Sequence, residues 1–463
     1  MGSNVLGDIG EWVAGCVGGD GGASGGPPSL SFRHDSYDAS EESVLEWRNA
    51  ARGKYLDAML MPKLAPLREA ALSSVEAGRA YELDGVTVQE LSWQLPYGAR
   101  TQALYLTPAG AEPGGSLPAL LALHCHGGQK VFGLEKITRT DAAQHPAMEE
   151  HQATYYGGRA WANEMAKRGY AVLVHDAFPF GSRRVTQESM PDTIRQSCVP
   201  TEFQDEAREA AAQRAAAAAA APPAEAEQIE IDEYNRWASD HEHVIAKSLF
   251  SAGLSWPGLL LAEDIAALDV LLSRPGVDTS RVGCGGLSGG GLRTMLLGAA
   301  DARIGPTVQV GYFTTSADMV LQKSYGHSWQ GHIPVIARQM DIPDVVAMRC
   351  PMPTLVQHTR EDPLFTLEAA EQGLADVRES FGKGGFGEHF VGSVYDGPHK
   401  FDLEMQAEAF AWFDRWLLPT GDTTPLAALH KTVAEAGQRA EVARLEAERA
   451  QLDRRIAELR STL

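Results

Sequence analysis

A serine set among glycines is the stretch of this sequence best suited to chemistry. Gly286, Leu287, Ser288, Gly289 and Gly290 fit the pattern G-x-S-x-G. A predicted strand precedes the serine and a predicted helix follows it, which is the context of a nucleophile elbow. In such a turn the serine hydroxyl lies beside the helix N-terminus, where the Gly289 amide can stabilise an oxyanion.

A serine hydroxyl needs a base, and two side chains follow in the chain order Ser, Asp, His that this elbow requires. Asp362 lies in the loop after the predicted strand PTLVQHT, and His399 lies in the loop after HFVGSVYDG. Ligands of open α/β sheets bind at the carboxyl ends of the strands, so these side chains should meet there. We predict Ser288 as nucleophile, His399 as base and Asp362 as acid, with the neighbouring Glu361 as an alternative acid.

The stretch LALHCHGGQ supplies the candidates for the second half of an oxyanion hole. Its glycines follow a predicted strand and would let a backbone amide approach the substrate oxygen. We predict the amide of Gly128 or Gln129 for this role, without a choice between them. Candidate pocket residues are Leu287 beside the serine, together with Phe178 and Trp256.

The sequence gives little indication of a metal site. His124 and His126 form an H-x-H pair, but no cluster of Asp, His or Cys nearby completes a ligand set. We therefore predict no metal and no other cofactor.

Composition restricts the partners and the location. The formal net charge is −21, whereas a nucleic-acid partner needs a basic surface. The five cysteines are scattered without a CxxC pair, which favours a reducing compartment. No apolar run approaches the roughly 20 residues that span a bilayer, and no signal peptide is recognised. We expect a cytoplasmic protein that binds a small molecule and neither nucleic acid nor membrane.

Apolar runs of strand length alternate with helical patterns from Leu117 onward. Runs that are apolar throughout and joined by helical crossovers are typical of a parallel sheet covered on both faces. We predict a doubly wound, mostly parallel α/β catalytic domain over 117–418. A helix and a leading β-hairpin over 41–116 precede it, and a flexible Gly/Ser/Pro-rich tail occupies 1–40.

Two segments interrupt this alternation. The insertion over about 181–255 contains an alanine run that stops at Pro222 and Pro223, which predicts helix, break, helix. Its position favours a cap over the site, and a disordered excursion stays open for its alanine-rich part. The tail over 419–463 is predicted to be helical, with leucines at heptad spacing that Arg449 interrupts. Pairing with a second copy and packing on its own domain both stay open.

Several of these segments together resemble the α/β-hydrolase superfamily, in its bacterial branch of dienelactone hydrolase-like and acetyl xylan esterase-like proteins. They are LALHCHGG, GCGGLSGGGLRT, PTLVQHTREDPLF and YDGPHKFDLEMQAEAFAWF. The resemblance implies the α/β-hydrolase fold and the triad Ser288, Asp362 and His399. Dienelactone hydrolases carry cysteine at the elbow, so the serine here favours ordinary carboxylic esters. We expect a serine carboxylesterase that acts on small or medium acyl esters without a cofactor.

Two other functions stay open at this point, because one fold hosts many chemistries. A peptidase would use the same triad, although the chain has no room for a propeller-type gating domain. A non-catalytic binding protein would keep the fold and recruit a partner through the C-terminal helix. The presence of all three triad residue types at fitting positions argues against that last function.

Overall fold

The computed structural model describes residues 4–17, 27–112, 114–188, 190–196, 204–418 and 424–461. The described residues form one nine-stranded sheet in the order β1-β2-β3-β5-β4-β6-β7-β8-β9. The strands are β1 Glu76–Leu83, β2 Val86–Trp93, β3 Thr101–Pro108, β4 Leu117–Leu123, β5 Ala171–His175, β6 Val277–Leu287, β7 Thr307–Val310, β8 Thr354–Thr359 and β9 Phe390–Tyr395. The pairs among β1, β2, β3 and β5 are antiparallel, and those among β4 to β9 are parallel.

Every residue of β5, β7 and β8 is buried, which indicates that both faces of the sheet are covered. The α-helices of five or more residues are α1 Gly10–Ala14, α2 Glu41–Ala58, α3 Leu64–Ser73, α4 Pro146–Tyr156, α5 Trp161–Lys167, α6 Asp192–Gln196, α7 Gln204–Ala220, α8 Pro223–Ser251, α9 Trp256–Leu272, α10 Gly289–Ala300, α11 Ile342–Ala347, α12 Leu367–Lys383, α13 Leu403–Leu417 and α14 Thr424–Ser461. No single helix in the described ranges is long and apolar enough to cross a membrane. Helices α8 and α9 meet that test only as a pair bent by 85°.

The N-terminal part of the chain differs from the expectation in two ways. Strand β1 was not predicted, and it joins β2 through Asp84 and Gly85, which both have positive φ, as a two-residue hairpin turn requires. The prediction of a flexible tail over 1–40 is wrong for the segment around Phe32. The Phe32 ring is fully buried and lies 5.3 Å from the ring of Trp47, whose indole N–H donates to the carbonyl of Leu30.

The insertion contains the predicted pair of helices, α7 and α8. Helix α7 ends at Ala220 and α8 begins at Pro223, where a proline at the first helical position loses no backbone hydrogen bond. Trp237 on α8 packs among Val185, Met190 and Ile194. This cluster joins helix α8 to the first part of the insertion.

The C-terminal helix α14 has two different halves. Leu426, Val433 and Ala436 in its first half are buried, and the ring of His430 lies 3.1 Å from the carbonyl of Ala302. Further along, a stripe of apolar side chains is between 39 and 61 % exposed: Val442, Leu445, Leu452 and Ile456. The first half therefore packs on its own domain, and pairing through the second half stays a prediction.

Candidate active site

Ser288 occupies a strained turn between β6 and α10. Its φ of 58° and ψ of −119° form a combination that residues with a side chain rarely adopt. The turn is held in place because the Ser288 amide donates a hydrogen bond of 2.8 Å to the carbonyl of Val310 on β7. The strain thus sits at the serine that the sequence predicts as the nucleophile.

Two glycines around the serine allow the helix, the elbow and β4 to approach each other closely. A Cβ atom at Gly286 or at Gly290 would lie 2.2 Å from the carbonyl oxygen of Leu123 on β4. No side chain fits at either position without moving this backbone. The glycine cluster therefore serves close packing around the elbow rather than a loose loop.

Asp362 and His399 meet at the carboxyl ends of β8 and β9. The His399 Nδ1–H donates to the Asp362 carboxylate at 2.6 Å, and the Leu364 amide donates to the other carboxylate oxygen at 3.0 Å. Burial raises the pKa of Asp362, but the hydrogen bond and charge of His399 outweigh it and leave this pKa below its usual value. An ionised Asp362 fixes the His399 ring with Nε2 as the free nitrogen.

The free nitrogen of His399 and the elbow serine border the same cavity. This cavity of about 250 Å³ is lined by Ser288, Gly289, Leu287 and His399, among others. His399 Nε2 is buried and has no hydrogen-bond partner among the described residues. The arrangement leaves one imidazole nitrogen ready to accept a proton inside the cavity that contains the serine.

Glu361, the alternative acid, points elsewhere. Its carboxylate accepts a hydrogen bond from the Gly397 amide, and its side chain is exposed. It shapes the loop that carries His399 without touching the imidazole. The structure therefore brings Asp362, not Glu361, to His399.

The predicted oxyanion amides need a correction. Gly128 borders the cavity, but its N–H donates to Nδ1 of His126 at 3.1 Å. Gln129 lies outside the cavity lining, and its N–H donates to the His126 carbonyl at 3.3 Å. The amide nitrogen of His126 itself lies 2.9 Å from where a Cβ of Gly289 would sit. The backbone amide of His126 therefore lies close to Gly289, which makes it the better candidate partner of the Gly289 amide.

Of the three predicted pocket residues, only Leu287 borders the cavity. The rings of Phe178 and Trp256 pack on each other, 5.9 Å apart, in a separate apolar cluster with Ala177 and Leu260. Trp256 opens the buried helix α9 and is 2 % exposed. The prediction that Phe178 and Trp256 line the pocket is wrong, because both rings pack in this separate cluster.

The segment after β7 borders the cavity, and the described part of the insertion does not. Tyr312 and the stretch from Gly326 to Gly331 border it, whereas no described residue of 181–255 does. The covering stretch consists of short helical turns at Ser324–Gly326 and Trp329–Gly331. The described residues of the insertion thus do not border the cavity, and the cap role stays a prediction for the insertion as a whole.

Helix α8 anchors the loop that follows β4 through buried polar groups that the sequence analysis missed. The Lys130 ammonium is fully buried; it donates to the Ala238 carbonyl at 3.0 Å and to the Glu242 carboxylate. The Asn235 side chain accepts from the Lys130 amide at 2.7 Å. Glu242 also lies 3.3 Å from Nε2 of His126. The insertion thus fixes the residues that carry the His126 amide.

The surroundings of Glu242 favour its ionised form. Burial raises the pKa of Glu242, but the hydrogen bond from His126 and the charge of Lys130 outweigh it and lower this pKa to about 2. Burial lowers the pKa of Lys130, and Glu242 offsets part of that effect. Because His126 Nδ1 accepts from the Gly128 amide, Nε2 carries the proton that it donates to Glu242.

The H-x-H pair has ordinary structural contacts. His124 is buried, and its Nε2 accepts from the Ala177 amide at 3.3 Å, while His126 faces Glu242. Within the described ranges, no group of three or more His, Cys, Asp or Glu side chains could hold a metal ion.

Known proteins resemble this chain in sequence and in fold, although no family model matches it. A stretch of 311 residues is 23 % identical to "Putative hydrolase YtaP" of Bacillus subtilis (strain 168), covering 66 % of this chain and 80 % of that one. The structure resembles a "putative acetyl xylan esterase" of Bacteroides fragilis NCTC 9343, with a TM-score of 0.53, 16 % identity and coverage of 80 % and 79 %. It also resembles a methylesterase, with a TM-score of 0.51, 16 % identity and coverage of 87 % and 76 %. The predicted α/β-hydrolase fold is confirmed.

Proposed function

We propose that the protein is a serine carboxylesterase that hydrolyses small or medium acyl esters through an acyl-enzyme intermediate. The observation that carries this proposal is the 2.6 Å hydrogen bond between Asp362 and His399, which leaves Nε2 of His399 without a partner among the described residues on a residue that borders the same cavity as the strained Ser288. A nucleophile, a base and an orienting acid are the parts that acyl transfer needs. The names of the similar proteins, a hydrolase and two esterases, support the same class of reaction.

The reaction follows from the roles of these residues. His399 takes the proton of the Ser288 hydroxyl while the oxygen attacks the ester carbonyl carbon. The backbone amides of Gly289 and His126 stabilise the oxyanion that forms. When the carbon–oxygen bond to the alcohol breaks, His399 gives its proton to the leaving alcohol. Water then attacks the acyl-enzyme with the same base and releases the acid and the free serine.

The size of the cavity supports a short acyl or alcohol group. Its volume of about 250 Å³ lies at or below the low end of ordinary ligand pockets, roughly 300 to 1,000 Å³. The apolar side chains of Leu287 and Leu292 border it near the serine. A long acyl chain would have to extend past the covering stretch into solvent.

The test is covalent labelling with a fluorophosphonate, read as intact-protein mass. The wild-type protein should gain one adduct, and Ser288→Ala should gain none because the attacking oxygen is absent. His399→Ala should react far more slowly, since the hydroxyl loses its base. Ester hydrolysis that persists in Ser288→Ala would refute the proposal.

A second pair of variants tests the acid. Asp362→Asn should lower kcat by about 10³- to 10⁴-fold, because the amide favours the wrong imidazole tautomer. Glu361→Gln, one residue away, should change kcat little, since Glu361 contacts the Gly397 amide and not His399. Equal losses in the two variants would contradict the assignment of the acid.

A further inference from the structure

A polar wall borders the candidate active site on the side of the covering stretch. Tyr312 lies two residues beyond the end of β7, and Gln330 lies in the helical turn Trp329–Gly331. Both side chains border the cavity that holds Ser288 and His399. Both are buried, with exposures of 6 % for Tyr312 and 3 % for Gln330.

These two side chains have hydrogen-bonding capacity that the fold leaves unused. Neither the Tyr312 hydroxyl nor the Gln330 amide nitrogen has a partner within the described part of the chain. Burial raises the pKa of Tyr312, so its hydroxyl keeps its proton and can both donate and accept. Buried polar atoms of native proteins are almost always paired, so an unpaired set at a cavity wall calls for an external partner.

Packing prevents the Tyr312 hydroxyl from finding that partner elsewhere. The Tyr312 ring meets the rings of Phe365 and His327 edge-on, at 5.5 and 5.8 Å. A Cβ atom at Gly331 would lie 2.0 Å from the hydroxyl oxygen. The absence of a side chain at position 331 therefore makes the room that the hydroxyl occupies.

The wall is polar but uncharged. Among the described residues that border the cavity there is no Asp, Glu, Lys or Arg. Burial lowers the pKa of His327, the histidine next to Tyr312, so its ring is neutral at pH 7. A carboxylate or an ammonium group of a ligand would find no counter-charge here, whereas a neutral hydroxyl, carbonyl or amide would find two partners.

We propose that Tyr312 and Gln330 form a subsite that binds a neutral hydrogen-bonding group next to the scissile ester. The proposal rests on the proposed esterase function and gives its substrate class. Preferred substrates carry a hydroxyl or amide on the acyl or alcohol part, and plain alkyl esters are poor substrates. A buried site built for such a group rejects an analogue without it, because its own polar atoms then stay unpaired.

The test uses two pairs of nearly isosteric esters in which a hydroxyl replaces a methyl group. The alcohol pair is 2-hydroxyethyl acetate against propyl acetate, and the acyl pair is methyl 3-hydroxypropanoate against methyl butanoate. The rate of acid release gives kcat and KM, corrected for the intrinsic reactivity of each ester towards hydroxide. The wild-type protein should prefer the hydroxylated member of at least one pair by about tenfold or more in kcat/KM.

The variants Tyr312→Phe and Gln330→Leu should reduce that preference to nearly one. The loss in kcat/KM should be at least about tenfold larger for the hydroxylated ester than for the plain ester of the same pair. Tyr234→Phe is the matched control, because its hydroxyl donates to the Val185 carbonyl outside the cavity. A preference near one in the wild type, or equal losses for both members of each pair, would overturn the subsite. If the wild type is not labelled at all, the esterase proposal fails and the subsite with it.

Discussion

Replacing Glu242 by glutamine measures what the insertion contributes to the catalytic domain. In the wild type the Glu242 carboxylate is 7 % exposed and accepts from the fully buried Lys130 ammonium. Glutamine keeps the shape and one acceptor oxygen but removes the negative charge. The Lys130 ammonium then stays buried without a counter-charge.

The size of the effect follows from the burial and from the pKa of this carboxyl. Removing one partner of a buried ion pair costs about 3 to 5 kcal/mol. The fall of the Glu242 pKa from 4.5 to about 2 corresponds to about 3 kcal/mol of folding stability at neutral pH. The two values agree, so we expect Glu242→Gln to lose about 3 kcal/mol of unfolding free energy in urea titrations.

The dependence on pH has a definite sign. A carboxyl whose pKa is lower in the folded state stabilises the fold above its unfolded pKa and loses this contribution as pH falls through the folded value. The stability difference between wild type and Glu242→Gln should therefore be full above pH 5 and shrink as the pH falls towards 2. A difference that grows on acidification would contradict the assigned ion pair.

Catalysis is the second readout, because Glu242 also lies 3.3 Å from Nε2 of His126, whose backbone amide lies next to Gly289. Loss of this contact should displace the amide and lower kcat/KM by at least about tenfold in protein that is still folded. Glu233→Gln is the control on the same helix, because Glu233 pairs with Arg214 and Arg236 at about one-third exposure. It should cost less than about 1 kcal/mol and leave kcat/KM unchanged. Equal effects of the two variants would refute the anchoring role of Glu242.

Two further predictions test the base and the C-terminal helix. Gly311 has a φ of 58°, and a Cβ atom at this position would lie 2.9 Å from Cε1 of His399. The variant Gly311→Ala should therefore displace the imidazole ring and lower kcat by about tenfold or more. Gly382→Ala, with open space around it, should leave kcat unchanged, and equal rates in both variants would disprove the close approach. A chain that ends at Glu441 lacks the exposed apolar stripe of α14, so its light-scattering mass should fall from dimer to monomer without a change in melting temperature. Equal masses would exclude pairing through that stripe.

The elements that carry the candidate triad could be read from local patterns. Ser288 sits where a strand period gives way to a helix period, and the glycines at 286 and 290 mark a turn that tolerates no side chain. Asp362 and His399 follow two apolar strands, so the rule that parallel strands end at one edge of the sheet brings them together. Local pattern and topology rule agreed here, which is why this part of the site was predictable.

The amide that would complete an oxyanion hole, in the loop over 124–129, was not predictable to the residue. Gly127 and Gly128 have φ values of 55° and 69°, and these dihedral angles fold the loop so that the amide of His126 approaches Gly289. A sequence of adjacent glycines permits such angles but does not select them. The choice among the amides of 126, 128 and 129 depends on backbone geometry that leaves no pattern in the sequence.

Lys130 shows a second limit of sequence reasoning. A lysine after a glycine-rich loop is expected in solvent, yet this one is fully buried against α8. Its partners Asn235 and Glu242 lie more than a hundred residues later, in a segment that was expected to cover the cavity. Only the docking of that helix reveals the pair, which is why the sequence did not predict these contacts.

The positions of the charged groups favour one type of substrate. The ion pair of Lys130 and Glu242 lies outside the lining of the cavity, which consists of neutral polar and apolar residues. The protein as a whole carries a formal charge of −21, which repels anionic ligands at long range. An anionic ester would thus meet repulsion outside and no counter-charge inside. A neutral ester would meet neither obstacle, which is the class that Tyr312 and Gln330 can recognise by hydrogen bonds alone.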